Sequence, residues 1–158
     1  MLYREKERMR IALYQPEIAQ NVGSIIRLAQ CFDLSVDLIH PLGFVFDSKH
    51  FKRAGMDYIE KADVRHYDDK EEFWQYAQGK RIVLFDTKGE ISLYEFKFDE
   101  EDILLFGQES QGVPEDVFQG CDVTVYIPIH GRSLNLAMSC AIAVGVSQCK
   151  AVHAGALR

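Results

Sequence analysis

Residues 106–114 read Phe106-Gly107-Gln108-Glu109-Ser110-Gln111-Gly112-Val113-Pro114, and what flanks them decides the fold. Upstream, Ile103 to Phe106 is a short apolar run of strand length. Downstream, Pro114 opens a short helix, because its missing N–H costs nothing at the first helical position. A strand, a loop and a helix in that order form one step of an α/β sheet, and ligands in such sheets bind beyond the C-terminal strand ends. The two glycines bracket a polar tetrapeptide and let backbone groups approach a ligand closely. A tight turn is the plainer alternative, although one glycine would serve it. The stretch is not G-x-G-x-x-G, so a dinucleotide site has no support. Gln108 stands two before Ser110, which excludes the G-x-S-x-G elbow of a hydrolase, and no Gly-Lys-Ser/Thr follows to make a P-loop.

The same step recurs along the chain. Residues 9–15 alternate as a strand that Pro16 ends, and a helix follows in which Asn21 can cap and Val22, Ile25, Ile26, Ala29 and Phe32 share a face. Val36 to Ile39 and Val64 to Tyr67 read as strands. Lys49 to Ala54 reads as a short helix stopped near Gly55, and Glu71 to Ala77 as a helix ending at Gly79. Arg81 to Phe85 and Val123 to Ile127 complete the strands. Leu134 to Val152 is apolar nearly all round, so it must be buried in a core or an oligomer interface. Strands alternating with helices imply an α/β domain on a parallel sheet. No internal repeat or low-complexity linker divides the chain. Residues 1–8 read as a charged appendage, with Met9 an alternative start, and residues 9–158 as one domain.

Two more loops follow strands and carry polar groups. In the first, Asn21 and Gly23 sit where the chain turns into a helix, as a cap and a close packing point on the plainest reading. Arg27 lies between Ile26 and Leu28 of that apolar helix, so its head needs an anionic partner, and a phosphate suits its planar fork. In the second, Ile127-Pro128-Ile129-His130-Gly131-Arg132-Ser133-Leu134-Asn135 precedes the last helix. Ser133 or Asn135 can simply cap that helix. A polar cluster at that place is also what a loop-borne site looks like.

Composition narrows the classes. The 158 residues are 47% hydrophobic and 27% charged, a globular balance. No apolar run approaches the ~20 residues of a membrane span. The charged N-terminus lacks the apolar core of a signal peptide, so the cytoplasm is the expected location. The four cysteines form no C-x-x-C pair and the five histidines show no metal-ligand spacing, so reduced thiols and no metal are expected. The net charge of -6 weighs against sequence-blind affinity for nucleic acid. Lys49, His50, Lys52 and Arg53 nevertheless form a compact basic group, readable as a solvated helix face or as an RNA grip.

The three loops together resemble the SPOUT superfamily of RNA methyltransferases. The motifs are N-x-G-x-x-x-R at Asn21, Gly23 and Arg27, F-G-x-E-x-x-G-x-P from Phe106 to Pro114, and I-P…S-x-N at Ile127, Pro128, Ser133 and Asn135. Pro41-Leu42-Gly43-Phe44 and the stretch Arg53-Ala54-Gly55-Met56-Asp57-Tyr58 are similar to the minimal branch, the tRNA (cytidine/uridine-34 2′-O)-methyltransferases. The resemblance runs over nearly everything from Met9 onward.

That resemblance implies an α/β-knot: a parallel sheet whose C-terminal segment threads a trefoil knot. It implies S-adenosylmethionine as cofactor, a homodimer, and 2′-O-methylation of the wobble ribose in a tRNA anticodon stem-loop, with leucine isoacceptors as substrates. Cofactor contacts fall on Phe85, Gly107, Ile127, Ser133 and Leu134. Arg27 matches the arginine at the target ribose, while Asn21, Glu109, Ser133 and Asn135 match the polar residues of that site. Lys49, Lys52 and Arg53 are the RNA-binding candidates. Met138 and Gly145 depart from the pattern, standing where an Asn and an aromatic are usual, and both fall on the dimer-forming helix. A methyltransferase of another RNA site, a non-catalytic knotted RNA-binding protein and an unrelated nucleotide-binding regulator are the alternatives.

Overall fold

The structure is a computed structural model that describes residues 8–53 and 56–153, with side chains as far as residue 149. The appendage apart from Arg8, the helix stop at Gly55, and Ala54 lie outside the described residues.

Seven strands form one sheet: β1 (Arg10–Tyr14), β2 (Ser35–Ile39), β3 (Val64–Tyr67), β4 (Ile82–Phe85), β5 (Ile91–Ser92), β6 (Ile103–Phe106) and β7 (Val123–Tyr126). Their order is β3-β2-β1-β6-β4-β7-β5, and every pairing is parallel. The helices are α1 (Ala19–Cys31), α2 (Ser48–Arg53), α3 (Lys70–Tyr76), α4 (Glu115–Gly120) and α5 (Leu136–His153), with a 3-10 turn at Asp57–Lys61.

Strand periodicity sorts these helices into two layers, because successive strand side chains point to opposite faces. Ile11, Leu13, Val36, Leu38, Val83, Leu104 and Val125 pack with α1, α2 and α5. Ala12, Tyr14, Ile39, Leu84, Ile103 and Leu105 pack with Phe73 of α3 and Val117 of α4. The central strands β4 and β6, covered on both faces, are apolar at every position, which is why β6 reads as an unbroken run.

Three expectations are corrected. Asn21 is not a cap: Ile18 holds that position, and Asn21 sits buried inside α1. Phe32 leaves the apolar face and is 40% exposed at the helix end. Pro114 occupies the N-cap position, one residue before α4 begins. The last helix enters the core by one face, one of the two burials expected of it, and this chain leaves the other face uncovered. Leu136, Cys140, Ala143, Val144 and Ser147 face the core, while Met138 is 62% exposed. The two-residue β5 has no periodicity to betray it in the sequence.

Candidate functional site

Three loops gather at the C-terminal ends of β1, β6 and β7. The β1–α1 loop leaves the N–H groups at the start of α1 without helical partners. Glu109 supplies them from the β6–α4 loop. Its Oε2 accepts from Glu17 N–H at 2.8 Å, and its Oε1 accepts from Ile18 N–H at 3.1 Å and from Asn21 Nδ2 at 3.3 Å. Asn21 Oδ1 accepts in turn from Asn135 Nδ2 at 3.0 Å. Asn135 Oδ1 then accepts from the N–H groups of Ala137 and Met138, at 2.9 and 3.3 Å, capping α5.

This relay has one allowed direction. An ionised carboxylate only accepts, so Asn21 must turn its amide nitrogen toward Glu109 and its oxygen toward Asn135. The α5 N–H groups likewise demand the oxygen of Asn135. Glu109, Asn21 and Asn135 thereby join three loops from distant parts of the sequence. Asn135 does cap the last helix, and it also reaches α1.

Both glycines of the opening motif have a structural use. Gln108 and Gly112 exchange backbone hydrogen bonds of 2.8 and 3.0 Å, closing the loop on itself. A Cβ on Gly107 would lie 2.5 Å from the Gly112 carbonyl carbon, and Gly112 has φ +68°. One glycine would not have served this turn: the first clears the close approach, and the second takes the left-handed conformation.

Arg27 stands exposed on α1 and, among the described residues, makes no ion pair. Its guanidinium lies 5.2 Å from the centroid of the Tyr58 ring. Tyr58 donates its O–H to the Gly23 carbonyl at 2.9 Å. Burial pushes the Tyr58 phenol above its ordinary value, against the opposing pull of Arg27, so it remains a neutral donor. Gly23 packs under Met56 and Phe51, as a close-packing residue should. Among the described residues, the anionic partner that Arg27 was expected to need is therefore not a carboxylate. An aromatic face holds its head and leaves its donors available to an anion from outside.

A cavity of about 340 Å³ opens beside β7, walled by Thr87, Tyr126, Ile129, His130 and Arg132 together with the predicted Ile127. That volume falls in the ~300–1,000 Å³ range of small-molecule sites. The other cofactor candidates lie outside its walls. Phe85 is buried and stacked on Phe106, centroids 4.9 Å apart at 10°, so its ring supports the site from beneath. Gly107 ends β6. Ser133 is exposed, and Leu134 is 36% exposed.

On α2, Lys52 lies 3.5 Å from Glu60, which offsets part of the basic group; Lys49 and Arg53 are exposed. No group of three His, Cys, Asp or Glu among the described residues could hold a metal ion.

The SpoU rRNA methylase family matches residues 8–145, a span that includes all three loops. The chain belongs to that family. A tRNA (cytidine(34)-2'-O)-methyltransferase of Ancylobacter novellus is 40% identical over 139 residues, 85% of this chain and 88% of its own. The enzyme of that name from Aeromonas hydrophila is 39% identical over 152 residues, 94% of this chain and 97% of its own. A solved structure described as "Structural insights into the 2-OH methylation of C/U34 on tRNA" superposes with a TM-score of 0.86 at 41% identity, covering 93% of this chain and 99% of that one.

Within this SpoU-family fold, sequence reasoning missed the residues that tie loop to loop. Glu17 accepts from the N–H and hydroxyl of Ser110 at 2.8 and 2.7 Å. Gln108 Nε2 donates to Gln15 Oε1 at 3.2 Å. These partners lie 93 residues apart, and no local pattern announces such a contact. Thr87 and Arg132 line the cavity from loops, where periodicity carries no signal.

Proposed function

We propose that this protein transfers the methyl group of S-adenosylmethionine to the ribose 2′-OH of the wobble nucleotide, C or U at position 34, in tRNA. The observation that carries the reading is Arg27: a guanidinium with no carboxylate partner among the described residues, on the helix whose start is joined to the β6–α4 and β7–α5 loops by Glu109, Asn21 and Asn135. The names of the relatives supply the substrate class.

The cavity beside β7 fits the cofactor. Ile127, Ile129 and Tyr126 offer apolar walls for an adenine, and Arg132 offers a cation for a carboxylate. When bound, the cofactor supplies an activated sulfonium methyl. The protein must align the ribose hydroxyl with it, and alignment alone is worth up to ~7–11 kcal/mol. Arg27 holds the phosphate beside the ribose and lowers the cost of negative charge growing on the 2′-oxygen. It acts as a donor and a charge rather than as a base, and a substrate phosphate takes the proton. Glu109, Asn21 and Asn135 act by position, since their polar atoms are occupied by one another and by backbone N–H groups.

The finer features belong to the same proposal. The C-terminal segment closes a trefoil knot: the chain runs from β7 through residues 127–135 and packs α5 on α1, back across the sheet. A second copy covers the outer face of α5, where Met138 is exposed and Ala141 and Gly145 continue the strip one helical turn at a time, with the exposed Leu134 just before the helix. Lys49, Lys52 and Arg53 grip the anticodon stem-loop. Residues 9–158 act as one domain, the substrates are leucine isoacceptors, and the enzyme works in the cytoplasm; no described helix is long and apolar enough to cross a membrane.

Incubating the protein with S-adenosylmethionine and tRNA, followed by mass mapping of the digested tRNA, tests the reading. A single methyl on the ribose of nucleotide 34 is the expected product. A methyl on another nucleotide, or none, overturns it.

A further inference from the structure

One residue of the β1–α1 loop touches both neighbouring loops, and methyl transfer as derived from Arg27 gives it no role. The N–H of Glu17 donates to Glu109 Oε2 at 2.8 Å. Its carboxylate accepts from Ser110 N–H at 2.8 Å and from Ser110 Oγ at 2.7 Å. On its other side, Gly43 N–H donates to the Pro16 carbonyl at 2.9 Å, and a Cβ on Gly43 would come within 2.7 Å of the Glu17 Cα. The loop that leads to α2 is therefore seated on the same point.

These contacts form a closed ring. Glu109 reaches across to the Glu17 backbone, and Glu17 reaches back to the Ser110 backbone. A single glutamate with several rotatable bonds would let the 107–112 loop pivot about its carboxylate. Adjacent attachments running in opposite directions remove that freedom. We propose that Glu17 is a positioning residue for methyl transfer, holding the 107–112 loop at a fixed offset from the helix that carries Arg27. The inference rests on the methyl-transfer reading, in which the cofactor loops and α1 must present donor and acceptor in line. A misplacement near 1 Å can cost ~10²-fold in rate. Ser110 is exposed and Glu17 half-buried, so the clasp contributes little to the core.

Glu17→Ala, Glu17→Gln and Ser110→Ala separate geometry from charge. In Glu17→Gln the amide oxygen still accepts from Ser110 N–H, and the amide nitrogen donates to a hydroxyl that can also accept. Single-turnover methylation should fall about 10- to 100-fold in Glu17→Ala and stay within about threefold of wild type in Glu17→Gln. The dissociation constants of tRNA and S-adenosylmethionine should stay within about threefold in both. Ser110→Ala keeps the N–H bond and should lose less rate than Glu17→Ala. Amide hydrogen exchange at Ser110, which needs no turnover, should accelerate in Glu17→Ala and remain slow in Glu17→Gln. Wild-type exchange and wild-type rate in Glu17→Ala would overturn the proposal, as would Glu17→Gln failing as badly as Glu17→Ala. A wild-type protein that methylates no tRNA overturns the methyl-transfer reading instead, and Ser110 exchange still decides whether the clasp exists.

Discussion

At the N-terminal ends of the strands, buried carboxylates pair with arginines, whereas at the C-terminal ends polar side chains cap the backbones of other loops. Asp37, wholly buried on β2, accepts from Arg10 Nε and Nη2 at 2.7 and 2.5 Å and from the Tyr67 hydroxyl at 3.2 Å. Asp102, equally buried, accepts from Arg81 Nε and Nη2 at 2.7 Å each. The larger cavity, about 1260 Å³, opens at this end, walled by Arg8, Arg10, Asp33, Asp63, Arg65 and Glu101 among others. Its size does not make it the site. Arg8 pairs with Asp33, Arg10 with Asp37 behind the wall, and Arg65 with Asp63, so each of its arginines is held by a carboxylate of the protein. At the other end Arg27 has no such partner among the described residues. A buried charge needs a partner, so the Arg10 pair at this end reads as structural, whereas Arg27 keeps its donors for an anion from outside.

If the N-terminal end is structural, breaking it should cost stability and spare chemistry. Asp37→Ala strands the buried Arg10 and should lower unfolding free energy by about 3–5 kcal/mol. Replacing both partners, Arg10→Met with Asp37→Leu, should recover most of that loss in urea denaturation. A stable but inactive double variant would show that this end takes part in turnover.

Arg27→Ala should do the reverse. Transfer under single turnover should drop about 10²- to 10³-fold, the loss seen when one donor to a developing oxyanion is removed. The melting temperature should hardly move, because the side chain is exposed. Arg27→Lys should recover only part, lacking the planar fork. Near-normal turnover in Arg27→Ala would end the assignment.

Asn21→Asp tests the relay between the two. It places a second carboxylate against Glu109, where the geometry requires a donor. Leaving that bond unmade should cost about 1–3 kcal/mol, and transfer should slow because α1 and the β6–α4 loop no longer share a bond there. Unchanged stability and rate would mean that the relay holds nothing in place.

The contrast also explains what was legible in the sequence. The sheet reads from apolar runs where a strand is apolar throughout, and Ile103–Phe106 is met residue for residue, whereas β2 carries the buried Asp37 inside its run. Asn21, Arg27, Glu109 and Asn135 stand out as polar residues beside apolar helices. The partner of each polar group was hidden. Asn21 looks like a local cap, yet its bonds go to Glu109 and Asn135, 88 and 114 residues away. The Arg10–Asp37 pair was invisible for the same reason: a charged residue at a strand start resembles a solvated one until the neighbouring strand is known.

Reversing charge on α2 tests a weaker contribution at the C-terminal end. Lys52→Glu with Arg53→Glu should weaken tRNA binding and flatten its dependence on salt, by about 0.7–0.9 in logarithmic slope for each phosphate no longer neutralised. Glu60 already offsets Lys52, so Arg53→Glu alone should account for most of the change. An unchanged slope would make the group a solvated helix face.

The smallest expected effect is a pH dependence at the sheet edge on the same side. His40 Nε2 and His66 Nδ1 lie 2.9 Å apart, and the His66 ring meets the edge of Phe46. Burial, and then the charge of His40, hold the His66 imidazole below its ordinary value. The folded protein therefore binds fewer protons here than the unfolded chain at mildly acid pH. Stability from this group is complete above the ordinary histidine range of about 6.5 and is lost as pH falls through the folded value. Urea midpoints measured between about pH 7.5 and 5.5 should decline toward acid in the wild type and decline less in His66→Gln, which has no charge to gain. Equal declines would place the acid sensitivity elsewhere. Asp63 is the next candidate: burial pushes its carboxyl up, the Ser35 hydroxyl with Arg10 and Arg65 outweighs that, and its contribution at the N-terminal end persists to lower pH than that of His66.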